Sequence, residues 1–293
     1  ADLVVLASHN GFDVDRKLAS RVDGIDVILT GHTHDAIPGV IKVNDTLLIA
    51  TGSHGKFIGR LDLDVQNKKI ENYRYKLIPI FSDVITPDPE IDGLIKTIRA
   101  PHAEQLNEVL ATTENTLYRR GTFNGTFDDL ICQAIMQERD AEIALSPGFR
   151  WGRSLPPESN ITGDDLFSQT AITYPACYRN EMTGELLKTI LEDVADNLFN
   201  PDPYYQQGGD MVRVGGMGYS IDVAKPIGER ISNMTLLKTG VPIDAASKYI
   251  VGGWASINEA TEGPAIYDLV SDYLRKEKVV NIPGNNNIKV NGA

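Results

Sequence analysis

Apolar and polar positions at the start of the chain follow a strand–helix–strand order. Residues 3–7 are a short apolar run, expected of a strand covered on both faces. Val14, Leu18 and Val22 recur every fourth position and mark one face of a helix over 13–22. The next strand is predicted at 25–29, closed by Gly31. Further β-rich runs cover 46–50, 57–65 and 73–79, so a layered α/β body is expected over residues 1–82. Prolines and aspartates at 83–89 break the pattern. Residues 91–110 then have helical spacing interrupted by Pro101. The stretch 83–112 reads equally as a linker helix or as the first helix of a second body.

That second body, residues 113–293, is predicted to hold helices at 127–137, 183–197 and 265–278, with Thr183 near the N-cap of the middle one. Strands are expected at 141–145 and 171–178. The loop 146–153 follows the first of these, and a Gly-rich loop, 207–216, precedes further strand-like segments.

Length and composition narrow the class. At roughly 150 residues per domain, 293 residues allow about two. Hydrophobic content of 42% with 23% charged residues suits a globular core. No apolar run approaches the ~18 residues of a membrane span. A net charge of −12 argues against nucleic-acid or anionic-membrane partners, which need a positive field. Cys132 and Cys177 fit a mutual disulfide or two buried thiols equally well. The chain opens inside an apparent strand without the residue order of a signal peptide. A piece of a longer protein, lacking its N-terminal strands, is therefore expected.

The strongest chemical signal is the pair Ser8-His9-Asn10-Gly11 and Gly31-His32-Thr33-His34. Both follow predicted strands at their carboxyl ends, where open α/β sheets place ligands. Neutral imidazole is the commonest side-chain ligand for transition metals. Two residues apart on an extended chain, His32 and His34 would face opposite sides and serve two ions more easily than one. His54, at another strand end, Asn10 and Asp35 are candidates for a supporting role behind the ligands.

The runs 5–11 and 24–34, with Asp15, Leu18 and Ala19, resemble the last two sequence blocks of calcineurin-like metallophosphoesterases. The resemblance implies the end of a four-layered α/β/β/α metallophosphoesterase domain, with His9 and His32 on one metal ion and His34 on the other. The earlier blocks, which carry the bridging carboxylate, an asparagine ligand and the catalytic histidine, are absent. No catalytic residue is thus expected in this chain, which alone should bind metal poorly and hydrolyse nothing.

Residues 130–134, 141–150, 182–191 and 214–216 resemble, in order, the C-terminal α/β domain of 5′-nucleotidases. Those enzymes stack the base between two aromatic rings. The aligned positions here, Met211 and about Ser256, carry none, which argues against a nucleoside monophosphate. Arginines remain for a small oxyanion. Arg119 or Arg120, and Arg179, are assigned to surface charge, whereas Arg150 and Arg213 stand among glycines and are assigned to function. The loops around 149–153 and 208–216 resemble thiosulfohydrolases of the SoxB type. That resemblance implies two divalent ions, manganese by family habit, and a periplasmic location. It also implies a substrate held as a cysteine S-thiosulfonate on a carrier complex of the SoxYZ type, with sulfate released. Arg150, Trp151, Arg153, Asp210, Met211 and Arg213 would then form the substrate side. Gly208, Gly209, Gly215 and Gly216 suit a peptide lying close to the backbone or a tight hairpin equally well. A 5′-nucleotidase or cyclic-nucleotide phosphodiesterase is the alternative enzyme, and a carrier-binding module without catalysis the alternative of another class.

Overall fold

The computed structural model describes residues 1–256, 258 and 260–292 and divides them into two compact units. Residues 1–96 and 200–208 make the first, and residues 97–199 with those from 209 onward make the second.

In the first unit, β1 (Val5–Ser8), α1 (Phe12–Ala19), β2 (Val27–Thr30), β3 (Ile41–Val43) and β4 (Thr46–Ala50) form a sheet in the order β1-β2-β4-β3. The strands β1, β2 and β4 run parallel, and Ser8, Thr30 and Ala50 stand in register at their carboxyl ends. The three following loops therefore leave one sheet edge at one level. Acidic Asp13 and Asp15 lie in the first turn of α1 and Arg16 and Lys17 in its last, complementing the helix dipole. Its core is small: Ala19, Ile28 and Leu48, flanked by Leu6, Phe12 and Ile41. The expected double cover of β1 is not found. Among the described residues it pairs with β2 alone, and Val5 is 53% exposed. A long hairpin of β5 (Phe57–Gln66) and β6 (Lys69–Pro79) turns through Asn67 and Lys68, both at positive φ, which matches the twist of the strands. Asp88 accepts the N–H groups of Glu90 and Ile91 and starts α2 (Pro89–Arg99), in which the boundary between the units falls. Around Pro101 the helix tightens to a 3-10 turn before α3 (Ala103–Asn107).

The second unit comprises β7 (Val109–Thr113), α4 (Thr126–Glu138), β8 (Ile143–Ser146), β9 (Asn160–Thr162), α5 (Gly163–Thr170), β10 (Tyr178–Thr183), α6 (Gly184–Phe199), β11 (Arg213–Gly215), β12 (Met217–Asp222), β13 (Ile231–Leu236), β14 (Val241–Pro242), β15 (Lys248–Gly253), α7 (Ile266–Glu277), β16 (Val279–Val280) and β17 (Ile288–Asn291). Its sheets are β10-β15-β8-β11, β14-β13-β12-β17 and β16-β7-β9. Two apolar cores hold it, one around α4 and α7 and one around α6 and β12. Thr183 caps α6 by accepting the Leu186 N–H, as its position predicts.

The strand expected at 171–178 is not formed. Pro175 has no N–H for a ladder, and the chain makes only an isolated bridge, Ala176 to Ala265, before β10. Cys132 and Cys177 are both free and buried, and burial pushes the Cys177 thiol up to about 12. Among the described residues no helix is long and apolar enough to cross a membrane.

Candidate functional site

The parallel register of the first unit brings the histidine loops together. The His9 and His32 rings lie 5.1 Å apart, edge to face, and the His34 and His54 rings 5.5 Å apart. His32 and His34 thus belong to different pairs. The cause is not the extended alternation predicted from their spacing. Both residues adopt left-handed backbone, φ 72° and 60°, as does His54 at 59°. Such conformations cost roughly 1–3 kcal/mol each in non-glycine residues and persist where surroundings enforce them. Close approach needs missing side chains. A Cβ on Gly31 would stand 3.3 Å from His9 Nδ1, and one on Gly208 3.0 Å from His32 Nε2.

Two devices hold these loops. Asp15, wholly buried, accepts the Ser8 hydroxyl at 2.7 Å and the Asn10 amide at 3.3 Å on one carboxylate oxygen. Its other oxygen is buried with no hydrogen-bond partner. Asn10 therefore turns toward Asp15. Second, residues 200–208, distant in sequence, belong to this unit. Lys17 pairs with Asp202 and lies 4.2 Å from the Tyr204 ring centroid. The Gln207 carbonyl accepts His32 Nε2–H. Asp35 is exposed, and its carbonyl accepts the Gly52 N–H.

A carbonyl holding one ring nitrogen is the usual support behind a metal-ligating histidine, so His32 has the chemistry of a ligand. The full donor set does not suffice. Among the described residues no group of three or more His, Cys, Asp or Glu side chains is placed to hold a metal ion. Pairs of neutral imidazoles fall short of the four or more ligands, some anionic, that a pair of divalent ions takes. These residues fit part of a metal site and do not complete one.

The second unit holds the arginines. Arg119 and Arg213 are buried on either side of Asp128, with guanidinium–carboxylate contacts of 2.7 and 3.2 Å. Burial pushes the Asp128 carboxyl up, against the pull of both cations. Arg213 also pairs with Asp210 at 3.0 Å, while its Nη1 is buried without a hydrogen-bond partner. Burial likewise raises Asp210, and the charges of Arg213, Arg150 and Arg120 pull it back. Phe149 stacks on Trp151 at 3.8 Å, and the Trp151 indole N–H goes to the Gln169 carbonyl. Arg153 is tied to Asp165.

The family model of the 5′-nucleotidase C-terminal domain matches residues 105–271, more than half of the chain. The chain belongs to the 5′-nucleotidase family. It is similar to the sulfate thiohydrolase SoxB of Thermus thermophilus, with 36% identity and a TM-score of 0.95, covering 100% of this chain and 55% of that one. It is also similar to a 5′-nucleotidase precursor from Thermus thermophilus, at 20% identity and TM-score 0.84 over 100% of this chain and 64% of that one, a likeness of fold. The trifunctional nucleotide phosphoesterase YfkN of Bacillus subtilis is 23% identical over 93% of this chain and 20% of its own length. The chain thus spans about half of SoxB and a fifth of YfkN.

Within this 5′-nucleotidase-family domain, several predicted substrate residues stand differently from expectation. Met211 is wholly buried among apolar side chains. Arg213 is equally buried, with two of its nitrogens in ion pairs. Of Arg119 and Arg120, one of which was assigned to surface charge, Arg119 is buried as well. Spacing along the chain cannot show this, because the compensating Asp128 sits nine residues from one arginine and 85 from the other. Arg150 and Trp151 are half-buried, and Arg153 is exposed. Asp128 escaped the sequence reading altogether, although an acidic residue on an otherwise apolar helix face was a usable signal.

Proposed function

We propose that this protein is part of a thiosulfohydrolase, releasing sulfate from a cysteine S-thiosulfonate carried by a partner protein of the SoxYZ type. What supports this is the likeness to SoxB, at 36% identity over the whole of this chain, against 20% for the Thermus thermophilus nucleotidase precursor. The chemistry agrees. Neither Met211, buried, nor Ser256, without a ring, can stack a base. Arg150, half-buried and near enough to Asp210 for its charge to pull on that carboxyl, is the guanidinium this reading assigns to the sulfonate. His9, His32 and His34 would contribute to the ligand set of two divalent ions, manganese in this reading. Such ions would supply the electrophilic charge that hydrolysis of an anion requires. A periplasmic place of action belongs to the same proposal.

A nucleotidase is the competing reading, favoured by the family match and by YfkN. The deciding experiment offers the full-length protein, with manganese, both a thiosulfonate-charged carrier and 5′-nucleotides. Sulfate should appear from the first and little phosphate from the second. Phosphate from nucleotides with no sulfate from the carrier would reverse the assignment.

A further inference from the structure

Asp128 sits in the first turn of α4, wholly enclosed. Its Oδ1 accepts from Arg119 Nε at 2.8 Å and its Oδ2 from Arg213 Nε at 3.2 Å. Each arginine reaches onward. Arg119 donates to the carbonyls of Gln169 at 2.7 Å and Pro147 at 3.0 Å, and Arg213 donates to the Asp210 carboxylate at 3.0 Å. Pro147 opens the loop that carries Arg150 and Trp151. Gln169 accepts the Trp151 indole N–H and donates to the Arg153 carbonyl, so it belongs to the same assembly. Asp210 lies in the Gly-rich loop. Both loops extend from the paired strands β8 and β11, and they touch. A Cβ on Gly148 would lie 2.5 Å from the carbonyl oxygens of Asp210 and Met211.

A buried carboxylate between two guanidiniums is a weak source of stability, since apolar groups of the same volume often serve as well. What such a network does supply is fixed geometry. We propose that Asp128 is a positioning residue. Acting through Arg119 and Arg213, it sets where the loops bearing Arg150 and Asp210 stand relative to each other. The inference rests on the proposed assignment of those loops to the substrate side.

The test is Asp128→Asn in the full-length protein, which keeps the shape and removes the charge. Hydrogen exchange, read by mass spectrometry, should speed about tenfold in peptides covering 146–153 and 209–216. KM for the charged carrier should rise about tenfold while kcat changes less than about threefold. Glu192→Gln is the control. Glu192 is another buried carboxylate, which accepts the backbone N–H groups of Gly228, Arg230 and Ile231. It should loosen the β12–β13 hairpin and leave both loops and KM alone. Unchanged exchange in the two loops, or a uniform rise across the unit with KM unaltered, overturns the proposal. Should Asp128→Asn fail to fold, Arg119→Lys keeps a cation beside Asp128 but replaces three separately placed nitrogens by one, so the contacts to Asp128, Gln169 and Pro147 cannot all keep their geometry. It should give the same signature, and its absence is equally fatal. A protein that releases no sulfate sinks the thiosulfohydrolase assignment, while the exchange data still decide the positioning role.

Discussion

The histidines of the first unit and Arg213 of the second carry the same mark in sequence, reactive side chains among glycines beside predicted strands. Their physical situations are opposite. His9 and His54 are exposed and His32 and His34 partly so, on loops above a thin core, with His32, His34 and His54 in left-handed backbone. Arg119 and Arg213 are sealed inside the larger unit against a wholly buried carboxylate. An imidazole at a surface can meet an ion or a substrate. A guanidinium in an ion pair at full burial cannot be reached, and acts on its surroundings instead. Residue type and local spacing name the chemistry available; burial decides whether it is offered outward or used to hold the protein.

The largest expected effect tests the buried side. Asp128→Ala leaves two guanidiniums without their shared anion and should destabilise by about 3–5 kcal/mol in urea unfolding. Replacing all three charges together (Arg119→Met, Asp128→Leu, Arg213→Met) should recover part of that loss, because Asp210 alone then loses an ion-pair partner and keeps the charges of Arg150 and Arg120. A single variant costing below about 1 kcal/mol would mean that water reaches the network, and the contrast with the histidines would fade.

Asp129, next along α4, sharpens the same point through pH. Burial raises its carboxyl from 3.8 to about 6, opposed by the N–H of Asn285 and assisted by the charge of Asp128. The folded state thus holds this proton more tightly than the unfolded state. The associated stability is fully present below pH 3.8 and is lost as pH rises through about 6. The loss is on the order of 2–3 kcal/mol. Asp129→Asn should abolish this component. The difference in unfolding free energy between the two proteins, followed from pH 4 to pH 7, should shift by that amount in favour of the variant. A difference constant with pH would place Asp129 in contact with solvent.

Much of the scaffold was legible because its signals are local. Thr46–Ala50 occurs as the apolar run predicts, and Thr183 caps α6 from its position alone. The helix α5 was missed because eight residues give little periodicity. Its start is nevertheless written in Thr162 and Asp165, whose reciprocal capping box closes the first turn. The histidine loops were legible because parallel strands in register deliver their carboxyl ends to one edge. What stayed hidden is long-range. The packing of residues 200–208 on α1 depends on Lys17 meeting Asp202 across 185 positions. The burial of Arg213 depends on Asp128, 85 positions earlier. Neither partner can be chosen from sequence without knowing the fold.

The smallest effect on stability belongs to the histidines and completes the contrast. His9 is exposed, and its ring meets His32 edge to face. His9→Ala should therefore shift unfolding by no more than about 0.5 kcal/mol, as surface substitutions do. If His9 supplies one ligand of a metal pair, the same change should lower the manganese content of the full-length protein about tenfold or more, measured by elemental analysis after dialysis. The two readouts must separate. A variant that unfolds easily yet keeps its manganese would make His9 a packing residue of the β1–α1 loop. The exposed constellation would then differ from the buried one only in depth, and no longer in purpose.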